Sequence, residues 1–169
     1  RFFDTFNLGY LYIPFAAFVI VSFTNAVNIS DGLDGLASGL LLICLAAFLV
    51  MSSSILDTTL SIFLGLWIGA LIAFLYFNIW PARIILGDVG ALAFGATLAV
   101  SGLLMGKPIG LAVIGGMFVV EVASSLIQLT SKKFFGRKVF DVAPIHLWLQ
   151  HKGWEEPKIV MRAWLLGTV

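Results

Sequence analysis

Charged side chains are scarce in this sequence of 169 residues. Asp, Glu, Lys and Arg make up 11% of it, against roughly 25% in an ordinary soluble domain. Hydrophobic residues make up 60%, and the mean hydropathy is +1.06. So few polar residues cannot cover a soluble globule, and so much apolar surface excludes a disordered chain. The composition therefore predicts a polytopic membrane protein.

Cysteine and net charge are also nearly absent. Cys44 is the single cysteine, which excludes an internal disulfide, and its apolar neighbours predict a packing role. A net charge of +1 argues against nucleic acid as a partner. The sequence starts without an initiator methionine or a signal peptide, and its last apolar run is too short to span a bilayer. We therefore expect a fragment truncated at both ends.

Long apolar runs fill most of the chain. They approach the roughly 20 residues that a spanning helix needs, and they lack the alternation of barrel strands. We predict an all-α, polytopic transmembrane bundle of about six spanning helices, in one integral-membrane domain over residues 1–169. The sixth begins near Pro157 and runs off the end of the sequence, so that only part of it is present, and the others are Leu8–Thr24, Leu36–Met51, Thr59–Phe77, Val89–Met105 and Ile109–Leu129.

The loops between these runs must alternate between the two sides of the membrane. One side receives residues 24–35, 78–88 and 130–156, and the other receives the N-terminus, 52–58 and 106–108. Basic residues favour the first side, which the positive-inside rule predicts to be cytoplasmic. That side holds or adjoins Arg83, Lys132, Lys133, Arg137, Lys138, Lys152, Lys158 and Arg162, whereas the other side holds Arg1 and Lys107.

Side chains with oxygen or imidazole groups gather on the same predicted side, whereas the other side offers little beyond Asp4 and Asp57. This distribution predicts a site that faces cytosolic solutes. The gathered residues are Asn25, Asn28, Asp31, Asp34, Asn78, Asp88, Asp141, His146 and His151.

Two acidic segments suggest phosphate and metal chemistry. Asn25, Asn28, Asp31 and Asp34 recur at every third residue, and steps of three drift about 60° around a helix axis, so all four cannot share one face. Glycines among them allow a turn and close approach of a ligand. Asp88, in Gly-Asp-Val-Gly, is either a helix cap or a ligand for Mg²⁺, which prefers hard oxygen donors.

Two further features have structural and functional interpretations. The basic segment 132–154 suits anionic lipid headgroups or an anionic substrate, and it lacks the His and Cys spacing of a zinc site. Glu121 lies near the middle of a predicted span, with Ser124, Ser125 and Gln128 on the same helix face. A deep acid points to function, and a satisfied interhelical hydrogen bond is the simpler alternative.

Taken together, these segments resemble the polyprenyl-phosphate hexosamine-1-phosphate transferases, and among them the phospho-N-acetylmuramoyl-pentapeptide transferases. The first matching segment occurs throughout the wider superfamily, and the last, with Pro-Ile-His and Lys-Gly-Trp, points to the muramoyl branch. In the order of the family, the matching segments are NAVNISDGLDGLASG, FNIWPARIILGDVGALAFG, EVASSLIQL and APIHLWLQHKGWEEPKIVMRAW.

The resemblance implies a ten-helix enzyme of the bacterial inner membrane, with this chain as its C-terminal portion and the active site facing the cytoplasm. The implied reaction is Mg²⁺-dependent transfer of phospho-N-acetylmuramoyl-pentapeptide from its uridine diphosphate carrier to undecaprenyl phosphate. It gives lipid I and UMP, and it serves peptidoglycan synthesis, cell shape and cell division. The oligomeric state stays open, with a homodimer as one option.

The resemblance also implies roles for single residues. Asp88 matches the metal-binding aspartate, Asp31 and Asp34 match acids of the cleft, and His146 matches the first histidine of a catalytic loop. Arg83 and Lys133 are cations that could assist by offsetting substrate charge. The residues expected to contact the substrate by match are Asn25, Asn28, Gly32, Leu33, Asn78 and Gln128.

The sequence departs from the family pattern at several positions. His146 is followed by Leu147 and Trp148, where the family has three histidines. Ile85 replaces a phenylalanine that stacks on uracil, and Ala91 replaces a serine. The Asp-Asp pair of an upstream family loop is missing from this sequence.

Two other functions compete with this hypothesis. A relative that uses a different amino sugar is disfavoured by the Lys-Gly-Trp segment. An ion-coupled transporter would use Glu121 and the acidic loops, but transporters place ionisable residues at the midplane in broken helices. Here all the other acidic residues of interest lie near predicted helix ends.

Overall fold

The computed structural model describes residues 8–168, so the predictions about Arg1 and Asp4 lie outside the described residues. Within that range the chain forms only helices and connecting turns, which confirms the all-α prediction. A 3₁₀ turn at Gly9–Leu11 precedes the α-helices. They are α1 (Tyr12–Ser30), α2 (Leu36–Ser54), α3 (Thr58–Asn78), α4 (Gly87–Leu104), α5 (Pro108–Ile114), α6 (Gly116–Phe135), α7 (Ile145–His151) and α8 (Glu156–Gly167).

Helices α1 to α4 are long and apolar enough to cross a membrane, as predicted from the first four apolar runs. Many large apolar side chains on them face outward, such as Leu66, which is 70% exposed, as expected for a surface solvated by lipid. Helix α1 continues past the predicted end at Thr24 to Ser30. The prediction of a loop from residue 24 was wrong, because Ala26 and Val27 still face the core.

The fifth predicted span, Ile109–Leu129, is not one straight helix. It is divided into α5 and α6, whose axes differ by 83°. A side chain on Gly115 at the break would come within 2.6 Å of the Phe23 ring, so glycine permits the bend to pack against α1. If this bent pair counts as one span, the described residues offer five spans, and otherwise four.

The sixth predicted span corresponds to α8. This helix has Pro157 in its first turn, as expected, and is 12 residues long in the structure. That length is short of the roughly 20 residues that cross a bilayer. The prediction of about six spanning helices is therefore too high for the part of the chain that the structure describes.

The core lies where α2 packs against α3 and α8, and where α1 packs against α4. Gly95 brings α1 and α4 into close contact, since a Cβ atom there would lie 2.7 Å from the Thr24 Cα. Trp164 of α8 covers Gly39 of α2 and donates a hydrogen bond to the Gly35 carbonyl at 3.1 Å. Cys44 is buried in α2, which confirms its packing role. These contacts pack α1 against α4 and α8 against α2.

Candidate active site

The site begins at the tight turn between α1 and α2. We call residues 31–35, with the sequence Asp-Gly-Leu-Asp-Gly, the acidic turn. Gly35 has a φ of +78°, a left-handed conformation that side chains with a Cβ adopt at a cost. The chain can therefore reverse within a few residues and leave both carboxylates of the turn at the same end of the helices.

Asn78 joins this turn to the loop that follows α3. Its side chain is only 3% exposed. The amide oxygen accepts hydrogen bonds from the Gly35 N–H at 3.2 Å and the Ser38 hydroxyl at 2.5 Å. The amide nitrogen donates to the Ile84 carbonyl at 2.9 Å. One buried amide thus fixes the start of α2 and the 79–86 loop together.

Three aspartates meet across these segments. Asp34 accepts a hydrogen bond from the Ala82 N–H at 2.8 Å, and Asp31 accepts one from the Gly87 N–H at 3.1 Å. Asn28 of α1 donates to the Asp88 carboxylate of α4 at 2.9 Å. The two acidic segments of the sequence are therefore brought side by side.

Between them lies a cavity of about 220 Å³. Most of the residues predicted to be acidic or substrate-binding line it, and Ile85 stands at its edge, 78% exposed. The N-cap position of α4 is Leu86, so Asp88 lies in the first turn rather than at the cap. The lining residues are Asn28, Asp31, Gly32, Leu33, Asp34, Asn78, Ile85, Gly87 and Asp88.

Negative charge is concentrated in this cavity. Burial raises the pKa of Asp31 from 3.8 to about 6; a hydrogen bond from Gly87 lowers it, and the nearby charges of Asp88 and Asp34 raise it further. The ion pairs within residues 8–168 are His146–Glu121 and Lys152–Asp141. No basic side chain in that range forms an ion pair with the cavity carboxylates, which therefore favour a cation.

The donor set fits Mg²⁺ only as part of a shared site. The described residues contain no group of three or more His, Cys, Asp or Glu side chains placed to hold a metal ion. Mg²⁺ is commonly held by one or two carboxylates, with water and phosphate oxygens at its other positions. Asp88, which lines the same cavity as Asp31, is a carboxylate of this kind. The remaining ligands would be water and phosphate oxygens or groups outside the described residues.

Three predicted substrate contacts do not reach the cavity. Asn25 is exposed and donates to the Val21 carbonyl at 2.8 Å, because α1 stays helical and the phase drift turns this residue away from Asn28. Arg83 is exposed and lines a separate surface pocket beside Trp80. Lys133 lies at the far end of α6, with its ammonium 5.7 Å from the Phe134 ring centre. These three residues therefore lie apart from the acidic cluster, and their expected contacts with the substrate stay predictions.

His146 does not line the cavity either. It is 1% exposed, and its Nδ1 lies 2.9 Å from the Glu121 Oε2. This contact joins α6 to α7 and matches the interhelical alternative for Glu121. His146 is thus absent from the residues that line the cavity, and its expected catalytic role stays a prediction.

Gln128, another predicted substrate contact, binds the segment that leads to α7. Its amide oxygen accepts from the Val139 and Phe140 N–H groups, each at 3.0 Å. Its amide nitrogen donates to the Phe140 carbonyl at 2.7 Å, and the residue is 5% exposed. The described hydrogen bonds of Gln128 therefore stabilise the loop between α6 and α7.

Sequence reasoning missed Glu156. Its Oε1 accepts a hydrogen bond from the Asp34 N–H at 2.6 Å, across 122 residues of sequence. An acid beside a proline at the start of α8 looks like an ordinary first-turn residue. Only the packing of α8 against α2 shows that it supports the acidic turn.

Comparisons with known proteins agree with this architecture. The family model described as glycosyl transferase family 4 matches residues 1–106. The phospho-N-acetylmuramoyl-pentapeptide-transferase of Acetivibrio thermocellus is 41% identical over 166 residues, which are 98% of this chain and 50% of that protein.

Two further proteins of the same name are similar. Those of Pelagibacter ubique and a Wolbachia species are 40% and 42% identical, each over 96% of this chain and over 49% and 52% of their own lengths. The chain spans about half the length of the curated relatives it matches.

Proposed function

The chain belongs to glycosyl transferase family 4, and from that premise we propose that the complete protein makes lipid I. It transfers phospho-N-acetylmuramoyl-pentapeptide from UDP-linked muramoyl-pentapeptide to the phosphate of undecaprenyl phosphate: a new P–O bond forms to the lipid phosphate, and the pyrophosphate bond of the donor breaks to release UMP. The observation that supports this best is the meeting of Asp31, Asp34 and Asp88 at one cavity beside the ends of the spanning helices. The names of the relatives support the same reaction.

The charge of the cavity suits two anionic reactants only with a cation. We propose Mg²⁺ as that cation, with Asp88 as the ligand from this chain. When bound, Mg²⁺ supplies positive charge that offsets the repulsion between the diphosphate and the lipid phosphate. Asn28 holds the Asp88 carboxylate through its 2.9 Å hydrogen bond, and Asp31 holds the start of α4 through the Gly87 N–H. These bonds pre-position the charged groups.

We assign the nucleoside part of the donor to the wall formed by the acidic turn. Gly32 and Leu33 line the cavity, and the missing side chain at Gly32 leaves the backbone open to close approach. Asn78 holds this wall in place through its hydrogen bonds with Gly35 and Ser38. Ile85 supplies an exposed apolar contact at the edge, where an aromatic ring could have stacked.

We place the cavity at the cytoplasmic face of the bacterial inner membrane. The soluble donor cannot cross hydrocarbon, and the lipid tail of the acceptor cannot leave it, so the reaction needs an interfacial cleft. The loops that build the cavity are those on the side enriched in basic residues, which the positive-inside rule makes cytoplasmic. The homodimer stays a prediction.

An ion-coupled transporter has less support. The bend between α5 and α6 does place Glu121 on a broken helix, as a transporter would. However, Glu121 is bound to His146, and the other acids lie together at one end of the helices. That arrangement favours a site for charged groups at an interface.

The test uses the complete protein in detergent with radiolabelled donor and undecaprenyl phosphate. We expect a labelled lipid product only when both substrates and Mg²⁺ are present, and its loss when EDTA removes the metal. Equal turnover of UDP-N-acetylglucosamine would instead indicate a relative with a different sugar preference. No lipid product under any condition would refute the transferase, and ion-driven solute uptake into liposomes would support the transporter.

A further inference from the structure

Glu121 and His146 form a buried acid–imidazole pair outside the cavity. Glu121 is 2% and His146 1% exposed, and the side-chain atoms Oε2 and Nδ1 lie 2.9 Å apart. Two ionisable groups are costly to bury unless they are paired, and this pair has no contact with solvent that would explain its presence. The role of this pair therefore lies in the segments that it contacts.

The opposite edge of the imidazole touches the acidic turn. A Cβ atom built on Gly32 would lie 2.5 Å from the Nε2 of His146, too close for any side chain. Gly32 also lines the cavity, between the carboxylates of Asp31 and Asp34. The ring therefore packs directly against the backbone that carries the acidic groups.

We propose that Glu121 and His146 are positioning residues, which hold the acidic turn in place through the contact between His146 and Gly32. In this role His146 supports the residues that bind the reactants and does not itself exchange a proton with them. The inference deepens the proposed function, and it rests on that function for its effect on turnover.

The hydrogen bonds around the pair fix the imidazole in one orientation. A carboxylate at Nδ1 keeps the proton on that nitrogen and directs Nε2 toward Gly32. The backbone next to His146 is held as well, because the Ile145 N–H donates to the Ser124 hydroxyl at 3.1 Å. Ser124 in turn donates to the Glu121 carbonyl at 2.7 Å, so that one turn of α6 holds both the ring and its backbone.

The first experiment compares His146→Gln with His146→Ala in the complete protein. Glutamine cannot titrate, but its amide can donate to Glu121 and fill most of the space. A positioning role predicts that the Gln variant keeps kcat within about tenfold of the original, while the Ala variant loses roughly 10–100-fold, as when supporting residues are removed elsewhere. Equal and complete loss in both variants would show proton transfer by the imidazole and overturn the proposal.

The matched control is His151→Gln. His151 lies in the same short helix, but it is exposed and outside the cavity. This variant should keep the original kcat and KM. A loss as large as that of His146→Ala would mean that α7 tolerates no change, and that the effects at 146 are not specific to the pair.

The second experiment does not depend on turnover. In the complete protein with ¹⁵N-labelled histidine, the His146 signals should show a proton on Nδ1, and the spectrum of His146→Gln identifies which signals are those of His146. Glu121→Leu should remove this preference, and Glu121→Gln, which keeps an acceptor, should retain it. Unchanged signals in Glu121→Leu would refute the pairing, whereas absence of transferase activity would refute only the proposed function.

Discussion

The two ends of α3 contain similar polar residues that do different things. At its start, Ser52, Asp57 and Ser61 form hydrogen bonds only with one another and with their immediate neighbours, at most nine residues apart. At its end, Asn78 binds Gly35 and Ser38, and Asp34 binds Ala82, across 40 to 48 residues. Both ends satisfy backbone groups, but only the second brings distant segments together.

This difference separates a helix cap from a functional cluster. Asp57 accepts a hydrogen bond from the Leu60 N–H at 3.0 Å, the ordinary contact of an N-cap. Asp31 and Asp88, by contrast, contact groups on another helix or loop, and both line a cavity. An aspartate near a helix start is therefore ambiguous in sequence, and the range of its partners decides between the two roles.

The largest expected effect comes from replacing a cavity aspartate with asparagine. Asp88→Asn keeps an acceptor for Asn28 but removes the charge that would hold Mg²⁺. We expect transfer to fall by at least about 1000-fold, as for the loss of several kcal/mol of charge stabilisation. The measurement is formation of the radiolabelled lipid product by the complete protein.

Asp57→Asn is the matched control for this change. It makes the same substitution at the start of α3, away from the cavity, where asparagine remains a good cap. Its activity should stay within about twofold of the original, since capping variants change little at a remote site. Normal turnover in Asp88→Asn, or equal losses in both variants, would remove the distinction between the cavity aspartate and the helix cap.

The second effect is on stability. Asn78→Leu leaves the Gly35 N–H, the Ser38 hydroxyl and the Ile84 carbonyl without their partner, each of which is costly when buried. We expect a loss of at least about 3 kcal/mol, because each of the three unsatisfied groups costs roughly 1–3 kcal/mol when buried. The midpoint of thermal unfolding in detergent, with tryptophan fluorescence as the signal, measures it.

Ser52→Ala provides the comparison at the local end. The Ser52 hydroxyl is buried and bonds the Asp57 carbonyl at 3.0 Å, but that carbonyl also accepts from Ser61. Its loss should cost only about 1 kcal/mol. If Ser52→Ala destabilises the protein as much as Asn78→Leu, the long-range bonds have no special weight.

Much of this fold could be predicted from sequence because apolar length is a local property. The runs that became α2, α3 and α4 needed no knowledge of their neighbours. The segment NAVNISDGLDG likewise showed a concentration of acids and amides, since spacing and residue type are visible directly.

What could not be predicted depends on contacts between distant segments. Nothing near Glu121 in the sequence identifies His146 as its partner, and nothing near Glu156 identifies Asp34. The break at Gly115 also follows from the Phe23 ring of another helix. These features lie in tertiary packing, which residue type and spacing along the chain do not reveal.

A smaller effect tests the cap itself. Asp57→Ala removes the acceptor for the Leu60 N–H and should cost about 1 kcal/mol, within the range for N-cap removal. Transfer by the folded fraction should be unchanged. The thermal midpoint and the specific activity are measured together, and a loss of activity without a loss of stability would show that this end of α3 also contributes to function.

The smallest effect concerns the pH dependence of the acidic end. The pKa of Asp31 is raised from 3.8 to about 6 in the folded protein, so the folded state binds this proton more tightly than the unfolded state does. Its protonation therefore stabilises the fold at low pH, and that contribution is lost as the pH rises from about 4 through 6. Asp31→Asn keeps an acceptor for Gly87 but cannot ionise.

Without divalent cations, Asp31→Asn should match the original thermal midpoint near pH 4 and exceed it by roughly 1–3 °C near pH 7.5. The gain is modest because the carboxylate is partly solvated. The control is Asp57→Asn, at the start of α3, which should shift the thermal midpoint by the same amount at both pH values. If Asp31→Asn instead gained more over the original at pH 4 than at pH 7.5, the sign would be reversed, and the charge of Asp31 would be stabilising.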